Sequence, residues 1–298
     1  MIQFQNSNVT VFQSLLYKTT STVIQTEDCI IVVDPNLLPV EVEMIREYVD
    51  NVKGDRPLYL LFTHSDWDHL IGYGAFQEAI VIASGALSLK EDKEDILNQI
   101  FKFDHQYYLD RSYPILYPLV DIEVKEEGQV LEIGNTKLTF YHAQGHTDDG
   151  IFTVIEPLGI WLAGDYLSDI EFPFIYDNSE KYEETLRKTD ELFNQHNIQY
   201  LIPGHGHITN IKEEIKFRKI AAQIYIKELR ESIKENRTNS NLLQGYNYLL
   251  EFQTIHEENS TLIKKELSTS SVNLLEIVDD QGIEEVLDNA EEDREEVI

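Results

Sequence analysis

The apolar run Leu58-Tyr59-Leu60-Leu61-Phe62 breaks at Thr63, and His64, Asp66, Asp68 and His69 follow at once. A buried strand that stops at a polar loop aims several side chains at one point. The stretch therefore reads as a strand, a donor-rich loop and a helix beginning near Asp68. Imidazole and carboxylate are the usual ligands of zinc, iron and manganese. A chain built this way has to bring further donors to the same strand end.

Three such donors occur later, each after an apolar run and directly after a glycine. They are His146 in Gln144-Gly145-His146-Thr147, Asp165 in Ala163-Gly164-Asp165-Tyr166, and His205 in Pro203-Gly204-His205-Gly206. Glycine lets backbone come close to a shared centre. Any one of these residues is equally a hydrogen-bonded loop residue. Seven candidate ligands at four strand ends suit a metal site in donor type and number.

The rest of the chain reads as mixed α and β. Strands are expected over Val9–Leu16, Thr22–Gln25, Cys29–Val33, Gln129–Ile133, Thr136–His142, Ile151–Ile155, Ile160–Leu162 and Gln199–Ile202. Val42, Ile45 and Val49 have helical spacing within Pro39–Val49. Ser179–Gln195 reads as a helix with a serine cap. Beyond His207, Ile220, Ile224, Leu229 and Ile233 repeat at helical spacing, and a second helical stretch is expected over Leu242–Leu267. These helices pack on the core or on another copy of the chain, so a homo-oligomer is an open expectation. Residues 85–127 form an insertion rich in Phe and Tyr, either a surface helical unit with its own core or a cap over the site.

Charge bears on partners. Lys and Arg number 24 against 54 Asp and Glu, a formal net charge of -30. That argues against a broad nucleic-acid surface, which needs basic patches. It leaves room for a small-molecule substrate, even an anionic one, because two divalent ions dominate the field in a pocket. Residues 276–298 are dense in acid, with Arg294 as their single base, and are expected to be a disordered tail. No apolar run approaches the ~20 residues of a membrane span. No basic region followed by an apolar stretch opens the chain, and Cys29 has no partner for a disulfide. A cytoplasmic location is the expectation.

With these motifs in view, the chain resembles the metallo-β-lactamase superfamily, whose pattern is His-x-His-x-Asp-His followed by His, Asp and His. The likeness runs from about residue 9 to about residue 210. It implies a four-layer αββα sandwich, with a catalytic domain over 1–210, a helical extension over 211–275 and the acidic tail. Carried over by position, His64, Asp66 and His146 bind one ion. Asp68, His69 and His205 bind the other, and Asp165 bridges them. Asp34 falls where the family has an aspartate after its early strands, which implies a hydrogen bond to a ligand histidine. An Asp-Pro turn is the alternative.

The resemblance implies a hydrolase that uses a dinuclear centre and a bridging hydroxide on an ester, lactone, thioester, amide or phosphodiester. Asp68 and Tyr166 are the candidate catalytic residues, Tyr166 as a proton donor or oxyanion partner. The departure is Asp66, where the family usually has a second histidine. The added carboxylate brings the centre near neutrality and favours iron or manganese, although zinc also accepts carboxylates. Flavodiiron proteins carry a carboxylate at this position, so an oxygen or nitric oxide reductase-like protein is one alternative, without the flavin domain those proteins append. A non-catalytic binding protein that keeps the fold is another. Asp148, Asp149, His105 and His207 are lesser candidates.

Overall fold

The structure is a computed structural model, and residues 1–244, 246 and 251–269 are described. The expected tail over 276–298 lies outside the described residues. Strands β1 (Ile2–Gln5), β2 (Val9–Gln13), β3 (Thr20–Gln25), β4 (Ile30–Val33), β5 (Leu58–Leu61), β6 (Ile80–Ser84) and β7 (Ile122–Val124) form one seven-stranded sheet in that order. Strands β8 (Val130–Ile133), β9 (Thr136–His142), β10 (Ile151–Glu156), β11 (Ile160–Leu162) and β12 (Tyr200–Ile202) form a five-stranded sheet, ordered β12-β11-β10-β9-β8.

Side-chain alternation explains the layering. Ile31, Val33 and Leu61 point between the sheets, where they meet Leu138, Phe140, Ile155 and Ile160. Ile30, Val32, Leu58 and Leu60 point the other way, onto Val42, Ile45 and Val49 of α1 (Pro39–Lys53). Successive side chains of a strand face opposite sides, so strands apolar at every position are covered on both faces. Each fully buried Val or Ile is worth ~1.5–3 kcal/mol against exposure, which makes this double burial the main force holding the layers.

The same outer face carries α2 (Trp67–Leu70), α3 (Gly85–Leu89) and α4 (Lys93–Tyr107). The second sheet is covered by α5 (Ser179–Gln195), α6 (Lys212–Lys234) and the helix over residues 251–269, here α7. The expected sandwich, helix layer on two sheets on helix layer, is the one found.

Some local expectations change. The side chain of Asn178, not Ser179, caps α5, accepting from the backbone N–H groups of Glu180 and Lys181. Ser179 is inside the helix and buried, bonded to Glu266. On α6 the inward face is Ile215, Ala222, Tyr225, Ile226 and Leu229, while Ile220 and Ile224 stand exposed. The insertion supplies α3, α4 and the edge strand β7, and Phe103 of α4 packs its ring 4.9 Å from that of Trp67.

The two sheets are joined at one edge. Thr20 N–H donates to Gly204 O at 2.6 Å, and Ile151 N–H donates to Thr63 O at 2.8 Å. The chain leaves β4, β5, β9, β11 and β12 at this edge, where the donor residues lie.

Candidate metal centre

Each donor sits just past a strand end. His64, Asp66, Asp68 and His69 follow β5, His146 follows β9, Asp165 follows β11 and His205 follows β12. Gly204 permits the closest approach. A Cβ there would stand 2.1 Å from Asp165 Oδ1 and 2.9 Å from His69 Cε1. Gly145 has another reason: its φ is +119°, and a Cβ would meet the backbone of Tyr182 on α5 at 2.2 Å.

The four imidazoles are held alike. Nδ1 of His69 donates to Asp34 Oδ2 at 3.0 Å, Nδ1 of His146 to Phe174 O at 2.8 Å, and Nδ1 of His205 to Tyr17 O at 2.9 Å. His64 Nδ1 lies 2.9 Å from Thr63 Oγ1, whose own proton goes to Asp34 Oδ2 at 2.6 Å. These partners accept, so each Nδ1 keeps its proton and each Nε2 is the nitrogen that can turn a lone pair to a metal ion. Asp34 is thus the outer anchor for His69 and, through Thr63, for His64.

All four Nε2 atoms converge on Asp165. Oδ1 is 3.1 Å from His69 Nε2, and Oδ2 lies 3.3 Å from His146, 3.4 Å from His205 and 3.5 Å from His64. Asp66 Oδ2 is 3.2 Å from His146 Nε2 and 3.8 Å from His64 Nε2. Asp68 Oδ2 is 3.4 Å from His205 Nε2 and 3.8 Å from His69 Nε2. Two ligand groups result: His64, Asp66, His146 and Asp165, and Asp68, His69 and His205.

Donor atoms about 2.0–2.2 Å from a common tetrahedral ion lie roughly 3.3–3.6 Å apart, close to these separations. Buried and without hydrogen-bond partners are His64 Nε2, His146 Nε2 and Asp165 Oδ1. Leaving such atoms unpaired costs ~1–3 kcal/mol each, and a divalent ion satisfies them together. The donor set fits the metal that the motifs imply.

The electrostatics agree. Burial alone would push His146 down, yet Asp66 and Asp165 lift it to about 10. His69 and His205 likewise rise well above the usual histidine range against the effect of burial, driven by Asp165 for His69 and by Glu171 and Asp165 for His205. Burial would raise Asp165, but His69, His205 and His64 hold it well below the usual carboxylate range. Positive charge is wanted at this point.

Other expected residues fall elsewhere. Tyr166 is turned into the core: its hydroxyl donates to Gln144 O at 2.7 Å and accepts from His146 N–H at 3.0 Å, so it braces the His146 loop and does not face the pocket. His207 is exposed and tied to Asp169 at 2.8 Å. His105 is exposed on α4. Buried Asp149 and exposed Asp148 share Lys90.

Three residues near the centre escaped the sequence reading. Glu171, pushed up to about 7 by burial, stands 3.4 Å from His205 Nδ1. Tyr176 lays its ring 5.2 Å from that of His146, and Ile255 of α7 lines the same cavity. Glu171 and Tyr176 belong to an irregular segment and Ile255 to a remote helix, without a local motif.

The sequence profile of the Metallo-beta-lactamase superfamily matches residues 16–208. The chain belongs to this superfamily. It is 26% identical over 161 residues to an acyl-coenzyme A thioesterase MBLAC2 of Gallus gallus, covering 51% of this chain and 57% of that one. The match thus spans little more than half the length of the relative. A metallo-beta-lactamase family protein of Thermus thermophilus superposes with a TM-score of 0.62 at 16% identity, covering 89% of this chain and 95% of that one. ETHE1 from Myxococcus xanthus does so with a TM-score of 0.53 at 18% identity, covering 77% and 91%. These structural likenesses show a shared fold. Family membership and the His/Asp clusters together support a metal-dependent hydrolase in general terms. Among the described residues, no helix is long and apolar enough to cross a membrane.

Proposed function

We propose that the chain hydrolyses a neutral acyl bond, an ester, thioester or lactone, with two divalent ions at the centre. His64, Asp66 and His146 would hold one ion and Asp68, His69 and His205 the other, with Asp165 available to both. The convergence of four Nε2 atoms on Asp165 at the floor of a pocket carries this reading. Bound there, divalent ions polarise a substrate oxygen and bring a water toward a neutral pKa.

The chain's own residues supply the rest. The centre opens into a cavity of about 350 Å³ whose walls include Tyr17, Trp67, Phe174, Tyr176 and Phe252. Aromatic walls exclude water and strengthen polar interactions at the floor. To Tyr176, exposed at this cavity with its ring 5.2 Å from that of His146, the proposal assigns the role expected of Tyr166, donation to a developing oxyanion. An ordinary phenol is protonated at neutral pH and so can donate. Among the described residues no Lys or Arg lines the cavity, whereas Glu171, Glu251 and Glu258 do. Those carboxylates repel a phosphodiester, which narrows the substrate to an uncharged acyl group. The likeness to a curated acyl-coenzyme A thioesterase supports the same choice.

The deciding experiment offers metal-loaded protein acyl esters, acyl thioesters, lactones and bis(p-nitrophenyl) phosphate. Turnover of acyl substrates with little of the phosphodiester is expected, and no acyl turnover at all contradicts the proposal. A second reading follows from Asp66, whose carboxylate gives the centre the oxygen-rich character of a diiron redox site. Oxygen or nitric oxide consumption with a reductant, in place of acyl turnover, would favour it.

A further inference from the structure

Among the described residues, two cavities border the donor loop after β5. The first is the aromatic-walled space above the centre. The second, about 520 Å³, lies toward α4 and is bordered by Lys90, Asp92, Gln99 and Thr147. Asp66, Trp67 and Tyr176 line both. The two cavities therefore adjoin at Asp66, a candidate ligand, and form two arms on either side of it.

The two arms differ in chemistry. In the first, α7 presents Glu251, Thr254, Ile255 and Glu258, at the spacing of one helical face. Ile255 is the aliphatic member of that face, and Phe174 lines the same cavity. The flank of α7 beside that face is pinned. Asn259 donates to Pro173 O at 2.7 Å and to Tyr225 Oη at 3.0 Å, and it accepts from Ile175 N–H at 3.0 Å. His256 Nδ1 lies 2.8 Å from the same Tyr225 hydroxyl. Buried bonds of this kind hold Ile255 in place. The second arm has amide, hydroxyl and charged groups, and its Lys90 is neutralised by Asp148 and Asp149.

We infer that the substrate has two limbs, an unbranched apolar acyl chain in the arm against Ile255 and a polar leaving group in the arm beside Lys90 and Gln99. This rests on the hydrolase reading above and adds the polarity of each half of the substrate. Where the arms meet, the bond from acyl carbon to leaving oxygen or sulfur breaks. The oxygen of water joins the acyl carbon, and a proton of that water passes to the leaving atom. Glu251 and Glu258 flank Ile255, so an acyl chain ending in a carboxylate is repelled. The helix that carries Ile255 lies beyond residues 16–208, whereas Tyr17, Trp67, Phe174 and Tyr176 of the same arm lie within the matched family segment.

The test compares wild type, Ile255→Trp and Ile255→Ala on butanoyl, octanoyl and dodecanoyl thioesters of one polar thiol. It is paired with calorimetric binding of the uncleavable octyl thioether of that thiol. Each buried methylene adds several-fold in affinity, so wild-type kcat/KM is expected to rise about tenfold or more from butanoyl to octanoyl. Ile255→Trp flattens that rise and weakens thioether binding about tenfold. Ile255→Ala moves the optimum toward dodecanoyl. An unchanged chain-length profile and unchanged thioether binding in both variants overturn the inference. Ile255-dependent thioether binding without turnover of any thioester would sink the hydrolase reading and leave the apolar arm standing.

Discussion

Gly204 is packed so closely on Asp165 that a Cβ at position 204 would stand 2.1 Å from Asp165 Oδ1. The carboxylate on which all four imidazoles converge is therefore confined from behind by a residue that carries no side chain. Gly204→Ala is expected to displace Asp165 and lower metal affinity about tenfold or more, the scale seen when groups that orient ligands are disturbed. Metal titration of the variant, with circular dichroism confirming the fold, checks this. Unchanged affinity would show that the close contact has no functional weight.

Protonation of the metal-free site sets a pH dependence. His146 is lifted to about 10 from an ordinary 6.5, with burial opposing and Asp66 and Asp165 prevailing. A raised histidine contributes stability that is fully present below the unfolded value and lost as pH rises through the folded one. Stripped of metal, the protein should therefore lose this contribution between about pH 6.5 and pH 10. Metal ions displace the same protons, so metal affinity should strengthen with rising pH over that interval. Calorimetry in buffers of different ionisation enthalpy should detect proton release on binding. Proton uptake would contradict the assignment.

The two tyrosines separate by readout. Tyr166→Phe removes a hydroxyl bonded to Gln144 O and His146 N–H, and should cost roughly 1–3 kcal/mol in denaturant unfolding. Tyr176→Phe should leave stability within ~0.5 kcal/mol. It should lower kcat about tenfold or more with KM little changed, as expected for a donor used only in the transition state. Stability loss in Tyr176→Phe with kcat intact would reverse the roles.

Much of this site was legible because its donors follow strands with clear apolar runs. Leu58–Phe62 announces β5, and the helical spacing of Val42, Ile45 and Val49 announces α1, all three buried as expected. Other parts carry weaker signals. β7 has three residues, too few to show alternation, and β6 is a short apolar run beside an insertion. The α5 cap moved by one residue because Asn178 and Ser179 both suit a cap, and tertiary contact with Glu266 drew Ser179 inside. Ile220 and Ile224 fit a helical period but lie off the face that α6 turns to the second sheet. Glu171, Tyr176 and Ile255 reach the centre by tertiary packing alone.

Asp66 makes a prediction about metal identity. Its carboxylate adds an oxygen donor and a negative charge, which favours harder ions than a third imidazole would. Protein produced without added zinc should carry substantial iron or manganese by elemental analysis. Zinc alone, filling both sites, would remove the argument from Asp66.

The central claim is that Asp165 joins two ions held by strand-end histidines and aspartates. Elemental analysis of purified wild type and Asp165→Ala, each assayed on the same acyl substrate, tests it most directly. About two divalent ions per active wild-type chain are expected, falling to about one or fewer with activity lost in the variant. An Asp165→Ala protein that keeps its full metal complement and its activity would contradict the claim.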